Sequence, residues 1–250
     1  MNDWRQGDFT LTPIELPLLT TEDGEPTIVL TTATPVVVIS QSCDIIRSAV
    51  LKPYVQVAVL SPATPEEMAD VKAGARVRYS YLPALEPHGL VVDLDVTATV
   101  DKETAQHWER EAGCTDDNQR RAFAASLARH RQRFAFPDEF NEVVKPLRKW
   151  VESKRSSDSH NGRLIRAIRE IRVLCDNWDE PSSLIFWLML ETEIPGSDEA
   201  EWMKAADGIR TKVAQKTKAK IQIVILKYDD LSASEYLSSD RLDLDGLSDA

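Results

Sequence analysis

Proline is the strongest constraint on how this chain can fold. Pro26, Pro35, Pro53 and Pro62, followed by Gly89, break the first ninety residues into short pieces. The pieces are rich in β-branched residues: "PTIVLTT", "PVVVISQ", "YVQVAVL", "RVRYSYL" and the alternating "GLVVDLDVTATV". Pro35 and Pro53 stand at strand starts, where a missing N–H is tolerated. Short strands between such breakers predict a bent sheet or a small barrel.

From about Lys102 the character changes. "DKETAQHWEREAG" and "DDNQRRAFAASLARHRQRF" favour Ala, Arg, Gln and Leu, which are helix formers. Asp116 or Asp117 is positioned to cap the second helix, with Phe123, Leu127 and Phe134 near one face. In a third helix Phe140, Val143, Val144, Leu147 and Val151 form an apolar stripe. Asp138 is its expected N-cap, and Pro146 is expected to kink or restart it. Residues 153–162 read as an exposed loop. "GRLIRAIREIRVLCD" starts as a helix and passes into a strand, and "SSLIFWLMLETE" has the length of a central strand, with a short buried helix as the alternative. The spacing predicts an amphipathic helix over "SDEAEWMKAADGIRTKVAQKTKA", with Asp198 and Glu201 at capping-box spacing, then a buried strand "KIQIVILKY". The acidic tail alternates Leu with Asp.

The fold class is therefore α+β: an N-terminal bent β-sheet or SH3-like barrel, a helical middle, and a C-terminal small sheet with a packed helix. The segments divide as 1–100 (β-rich), 101–160 (helical and basic), 161–230 (α/β) and 231–250 (acidic tail). No apolar run is long enough to cross a membrane, and no secretory leader is expected, so the expected location is cytoplasmic. Cys43, Cys114 and Cys175 are too few and too far apart for a disulfide framework or zinc site. No phosphate-cradling glycine motif occurs, which disfavours nucleotide-hydrolysing and dinucleotide-binding classes. No metal or cofactor is expected.

Charge is uneven. The chain carries −11 overall, yet residues 119–172 hold fourteen Lys/Arg against six Asp/Glu, a local +8. Such asymmetry suits an acidic or nucleic-acid partner, although the chain's own acidic parts are the simpler counterweight. Arg120, Arg121, Arg129, Arg131 and Arg133 cluster in "QRRAFAASLARHRQRF" and are the candidate partner-binding residues, since guanidinium forks bind phosphates. Arg163, Arg166 and Arg169 repeat every third residue and suggest a second basic face.

Cys43 and Asp44 are the candidate catalytic residues, because "VVVIS" runs straight into the polar "QSCD". A thiol needs a nearby base or cation to become a nucleophile, and adjacent Asp44 works against that. The alternative is a structural corner closed by side-chain hydrogen bonds. Asp93 and Asp95 share a strand face and suggest a cation pair, against the simpler reading of a polar outer face.

"QGDF" at Gln6–Phe9, "TPVVVIS" at Thr34–Ser40 and "VQVAVLSPAT" at Val55–Thr64 resemble the core of MazF/PemK-type barrels. That resemblance, over residues 6–64, implies an SH3-like barrel and, by family, endoribonuclease activity on single-stranded RNA. Thr64 falls at a position the family uses, but Thr34 stands where the family places its catalytic arginine. The resemblance thus supports the barrel more than the chemistry. Two functions follow as expectations. One is a non-catalytic interaction subunit of a bacterial defence or toxin–antitoxin type assembly. The other is a nucleic-acid-acting or thiol enzyme at Cys43 and Asp44.

Overall fold

The computed structural model describes every residue except 2, 31, 133, 156, 194, 195, 197 and 245–250. The fold is α+β, and the chain forms two compact units, Met1–Gln132 and Arg133–Ala250. The boundary falls inside the basic stretch.

In the first unit, strands β1 (Phe9–Ile14), β4 (Thr34–Val38), β5 (Tyr54–Pro62), β7 (Leu90–Asp101) and β6 (Tyr79–Ser80) make an antiparallel sheet in that spatial order. The sheet is open, with β1 and β6 at its edges. Helices α1 (Ser42–Ile45), α2 (Pro65–Lys72), α3 (Lys102–Ala105) and α4 (Asp117–Arg131) complete the unit. The run "VVVI" is continuous because both faces of β4 are covered. Val36 and Val38 pack with Trp4, Leu16, Ile45 and Val57. Val37 and Ile39 pack with Phe9, Leu60, Val92 and Phe123. A strand buried on both faces needs no polar alternation.

Several local expectations change. "RVRYSYL" yields only the two-residue β6. A separate hairpin, β2 (Pro17–Glu22) with β3 (Glu25–Leu30), turns at Asp23 and Gly24, both at positive φ (51° and 86°). That geometry matches the twist of a two-residue hairpin loop. The stretch after Lys102 is helical for only four residues, and Glu111 instead bridges Phe9. Gly7 and Gly113 let two backbone segments touch: Gly7 has φ 93°, and a Cβ on Gly113 would overlap the Gly7 carbonyl.

In the second unit, α5 (Asp138–Lys154) and α6 (His160–Ala167) precede β8 (Ile168–Cys175) and β9 (Ser183–Leu190). Then follow α7 (Glu199–Ala214), β10 (Lys220–Lys227), α8 (Ala233–Ser238) and β11 (Asp240–Arg241). The sheet order is β10-β9-β8-β11, with β9 and β10 parallel and the other pairs antiparallel. Pro137, not Asp138, is the N-cap of α5, and the helix runs through Pro146 without restarting. α6 begins inside the expected loop and hands over to β8 without a connection.

One face of this sheet packs Ile171, Val173, Phe186 and Leu188 against the helices. The opposite face carries Glu170, Arg172, Trp187 and Met189, all buried. There the tail is clamped. Arg172 donates to Glu170 (2.6 Å), to Ser239 Oγ (2.7 Å) and to the Tyr236 carbonyl (2.9 Å), and stacks 4.0 Å from the Tyr236 ring. Glu170 also accepts from the Tyr228 hydroxyl (3.1 Å) and pairs with Arg241 (3.3 Å). Burial, then the Glu170 charge, pushes the Tyr228 hydroxyl up to about 12. Leu242 of the expected leucine-rich tail is buried in the core on this unit.

Gly113→Ala is expected to destabilise the protein by about 2–3 kcal/mol, because the new methyl must displace backbone. Chemical denaturation monitored by circular dichroism checks this; an unchanged midpoint would contradict the close approach.

Candidate functional site

The Cys43 corner is held by its backbone. Ser42 Oγ accepts from the Gln6 N–H (3.1 Å), Gln6 Nε2 donates to the Ile39 carbonyl (2.9 Å), and Ser40 Oγ accepts from the Gln56 N–H (2.7 Å). The buried Lys102 ammonium donates to the Asp44 carbonyl (2.6 Å) and the Arg47 carbonyl (2.8 Å), satisfying the end of α1. Its pKa is lowered by burial. Cys43 itself is exposed, and its polar contact is Gln41 at 3.6 Å. Asp44 lies 3.8 Å from Arg47 and 3.9 Å from Lys52. No histidine or arginine is placed against the thiol among the described residues. Thr64 caps α2 in a capping box with Glu67, accepting from its N–H at 3.3 Å. Thr64 is thus engaged as a cap and Asp44 faces two cations, while Cys43 stays exposed.

The described candidate arginines each hold a group of this chain. Arg120 pairs with Asp117 (2.8 Å), and Arg121 donates to Asn118 (3.2 Å). Arg129 donates to the Gly74 carbonyl, and Arg131 donates to Gln56 (2.8 Å). Arg133 lies outside the described residues. Phe123 points into the core, whereas Phe134 lies beyond α4 and packs on Phe136 and Trp178. A concavity of about 190 Å³ includes Lys72, Arg76, Tyr81 and Arg129. Its cations are answered internally: Lys72 by Glu86 at 3.0 Å, and Arg76 by Asp70 at 3.4 Å.

The second basic face is held in the same way. Arg163 grips Asp198 through two hydrogen bonds (2.7 and 3.1 Å), Arg166 donates to the Arg155 and Ser157 carbonyls, and Arg169 pairs with Glu191 (2.9 Å). Asp198 makes no side-chain cap bond; it is buried between Arg163 and His160 instead. Asp93 and Asp95 gather on Arg78 (2.6 and 3.5 Å), not on a cation site. Among the described residues no group of three His, Cys, Asp or Glu is placed to hold a metal.

What remains is a lysine-lined cleft of about 540 Å³ between α5 and α7. α5 buries Phe140, Val143, Val144, Leu147 and Trp150, which turns Lys145 and Lys149 outward four residues apart. α7 buries Ala206, Ile209 and Val213, which places Lys212 and, just past the helix, Lys216 on the facing wall. Lys154 closes one end, and Pro146 and Trp150 are the apolar lining. Lys145 is paired with Glu142 at 2.8 Å. Lys149, Lys154, Lys212 and Lys216 have no carboxylate within 4.0 Å among the described residues. The Glu142 carboxyl is held below its usual range by the hydrogen bond and charge of Lys145, and further by Lys216 and Lys149. Charges from both helices therefore act on one point. The sequence signal for this site was the pairs Lys145/Lys149 and Lys212/Lys216. Like charges at that spacing destabilise an isolated helix and gain nothing locally.

No protein-family model matches the chain, and no curated protein is similar to it. No described helix is long and apolar enough to cross a membrane.

Two measurements check this geometry. Alkylation followed by mass spectrometry should modify exposed Cys43 at least ~10-fold faster than Cys114, whose burial pushes the thiol up. Arg163 holds the Asp198 carboxyl down at about 2, against burial and with help from His160. A folded value below the unfolded one stabilises above the ordinary aspartate range and is lost as pH falls towards 2. The Trp202 indole donates to the His160 carbonyl, so its N–H resonance should report that loss between about pH 4 and 2. In Asp198→Asn that acid step should disappear.

Proposed function

We propose that this protein is a non-catalytic interaction subunit that docks an anionic partner through the lysine cleft of its second unit. One observation carries the reading: four lysines without carboxylate partners surround one concavity in a chain of net charge −11. Among the described candidate arginines, Arg120 meets a carboxylate, Arg129 a backbone carbonyl, and Arg121 and Arg131 side-chain amides. An excess of unmatched positive charge on a concave wall attracts and steers a negative ligand. The thiol-enzyme alternative has less behind it, because Cys43 is exposed beside a glutamine with no base in reach. Membership of a defence or toxin–antitoxin type assembly belongs to the proposal through the resemblance of residues 6–64 alone.

Binding of a labelled single-stranded oligonucleotide and of a glutamate-rich peptide to the full chain tests the reading. At least one should bind at low salt, with affinity falling steeply as salt rises. For an oligonucleotide that met all four lysines, the slope of log K against log salt should approach about −3. Replacing Lys149 and Lys212 by Ala should flatten it by roughly 1.4. No binding of these probes or of a small polyanion at low salt, or binding indifferent to both substitutions, would remove the proposal.

A further inference from the structure

The chemistry of the cleft narrows what it accepts, given the anion-docking reading on which this inference rests. We infer that its ligand is an oligophosphate: a short chain of phosphoryl groups, free or carried on a nucleoside.

Side-chain type argues first. Every cation lining the cleft is a lysine; no arginine is among them. A planar guanidinium fork matches a carboxylate edge in two parallel bonds, whereas an ammonium is a compact point charge suited to phosphoryl oxygens. Elsewhere in this chain the buried carboxylates are gripped by arginine, as Asp93 is by Arg78 and Asp198 by Arg163. The cleft differs from those carboxylate sites in its donors.

Charge and size argue next. Glu142 offsets Lys145, which leaves the four unmatched lysines. A triphosphate carried on a nucleoside holds up to about four negative charges, one on each of two inner groups and two on the terminal one, and a free chain of three, with two ends, holds up to about five. On α5, residues four apart are about 6 Å apart along the axis, so Lys145 and Lys149 stand along one wall, and Lys212 of α7 with Lys216 just beyond it stands on the other. A volume of about 540 Å³ is that of a small-molecule pocket. The C-terminal end of α7 adds partial negative charge there, which Lys212 and Lys216 outweigh.

The lining disfavours larger partners. A sequence-tolerant single-strand site needs exposed aromatic faces for base stacking. Trp150 is the aromatic residue here, and only 8% of its surface is exposed. A docked acidic helix would need apolar contact area, and Pro146 and Trp150 offer little.

Isothermal titration of the full chain at low salt, with four probes, tests the inference. The probes are inorganic tripolyphosphate, adenosine triphosphate, orthophosphate and a glutamate-rich peptide. Tripolyphosphate should bind at least ~30-fold tighter than orthophosphate, since one phosphoryl group meets only part of the charge. Lys149→Ala with Lys212→Ala should weaken tripolyphosphate at least ~10-fold, with the circular dichroism unchanged because both side chains are exposed. Glu142→Gln should strengthen it ~2–5-fold by removing the one opposing carboxylate. Equal binding of tripolyphosphate and adenosine triphosphate supports a free chain as the source; tighter binding of the nucleotide supports a nucleoside carrier. Tripolyphosphate that binds no better than orthophosphate, or that ignores the lysine substitutions, overturns the inference. If the peptide then binds through the same lysines, anion docking survives without oligophosphate. If neither probe binds, both readings fall.

Discussion

Buried carboxylates organise this protein. Asp8, Asp93, Glu170 and Asp198 are each at most 5% exposed, and each is met by arginine: Arg110, Arg78, Arg172 with Arg241, and Arg163. A buried charge without a partner is far more destabilising than the pair is stabilising, so these contacts fix where segments must lie. Arg110 ties the irregular chain after α3 to the start of β1. Arg78 ties the turn before β6 to β7. Arg163 ties α6 to α7. The Glu170 cluster closes the tail over the sheet. Each tie joins residues far apart in the chain or holds a segment with little regular structure of its own.

This arrangement also decides which cations are left for a partner. Among the described residues, the arginines that look most like a binding surface in the sequence, Arg120, Arg121, Arg129 and Arg131, each donate to a carboxylate, carbonyl or amide of this chain. Lys149, Lys154, Lys212 and Lys216 of the cleft have no carboxylate within 4.0 Å among those residues. Lysine's flexible, strongly hydrated ammonium is seldom the residue of choice for a buried pair, whereas arginine is. The division of labour between the two residue types follows from that difference in hydration and shape.

Periodicity made the framework legible. The uninterrupted runs of β4 and β9 indicated strands buried on both faces, and the stripes of α5 and α7 indicated their core sides. The passage from helix to strand near Ile168 was readable for the same reason. The ion partners were not, because charge complementarity across dozens of residues leaves no local pattern: Asp198 has the spacing of a cap and serves Arg163 instead. Of the hairpin at 17–30 only the second strand was read, from "PTIVLTT"; its partner "PLLTTE" is short, and the turn at Asp23 and Gly24 was the unused signal. Of the candidate site, the basic character of the middle was evident. Its location was not, because the cleft takes one wall from α5 and the other from α7, and the sequence shows only two lysine pairs about seventy residues apart.

The direct passage of α6 into β8 couples two periodicities across an irregularity in register between Ile168 and Glu170. Within β8, Ile171 and Val173 face the helices while Glu170 and Arg172 face the tail. Side chains along a strand alternate, so a shift by one residue exchanges the two faces. One residue inserted within the regular part of β8, between Glu170 and Ile171, would turn Arg172 into the apolar core and the isoleucine and valine towards the clamp. Length is therefore specified within the strand from Glu170 onward, and the irregularity just before it is where the helix-to-strand junction can take up a residue without exchanging the faces.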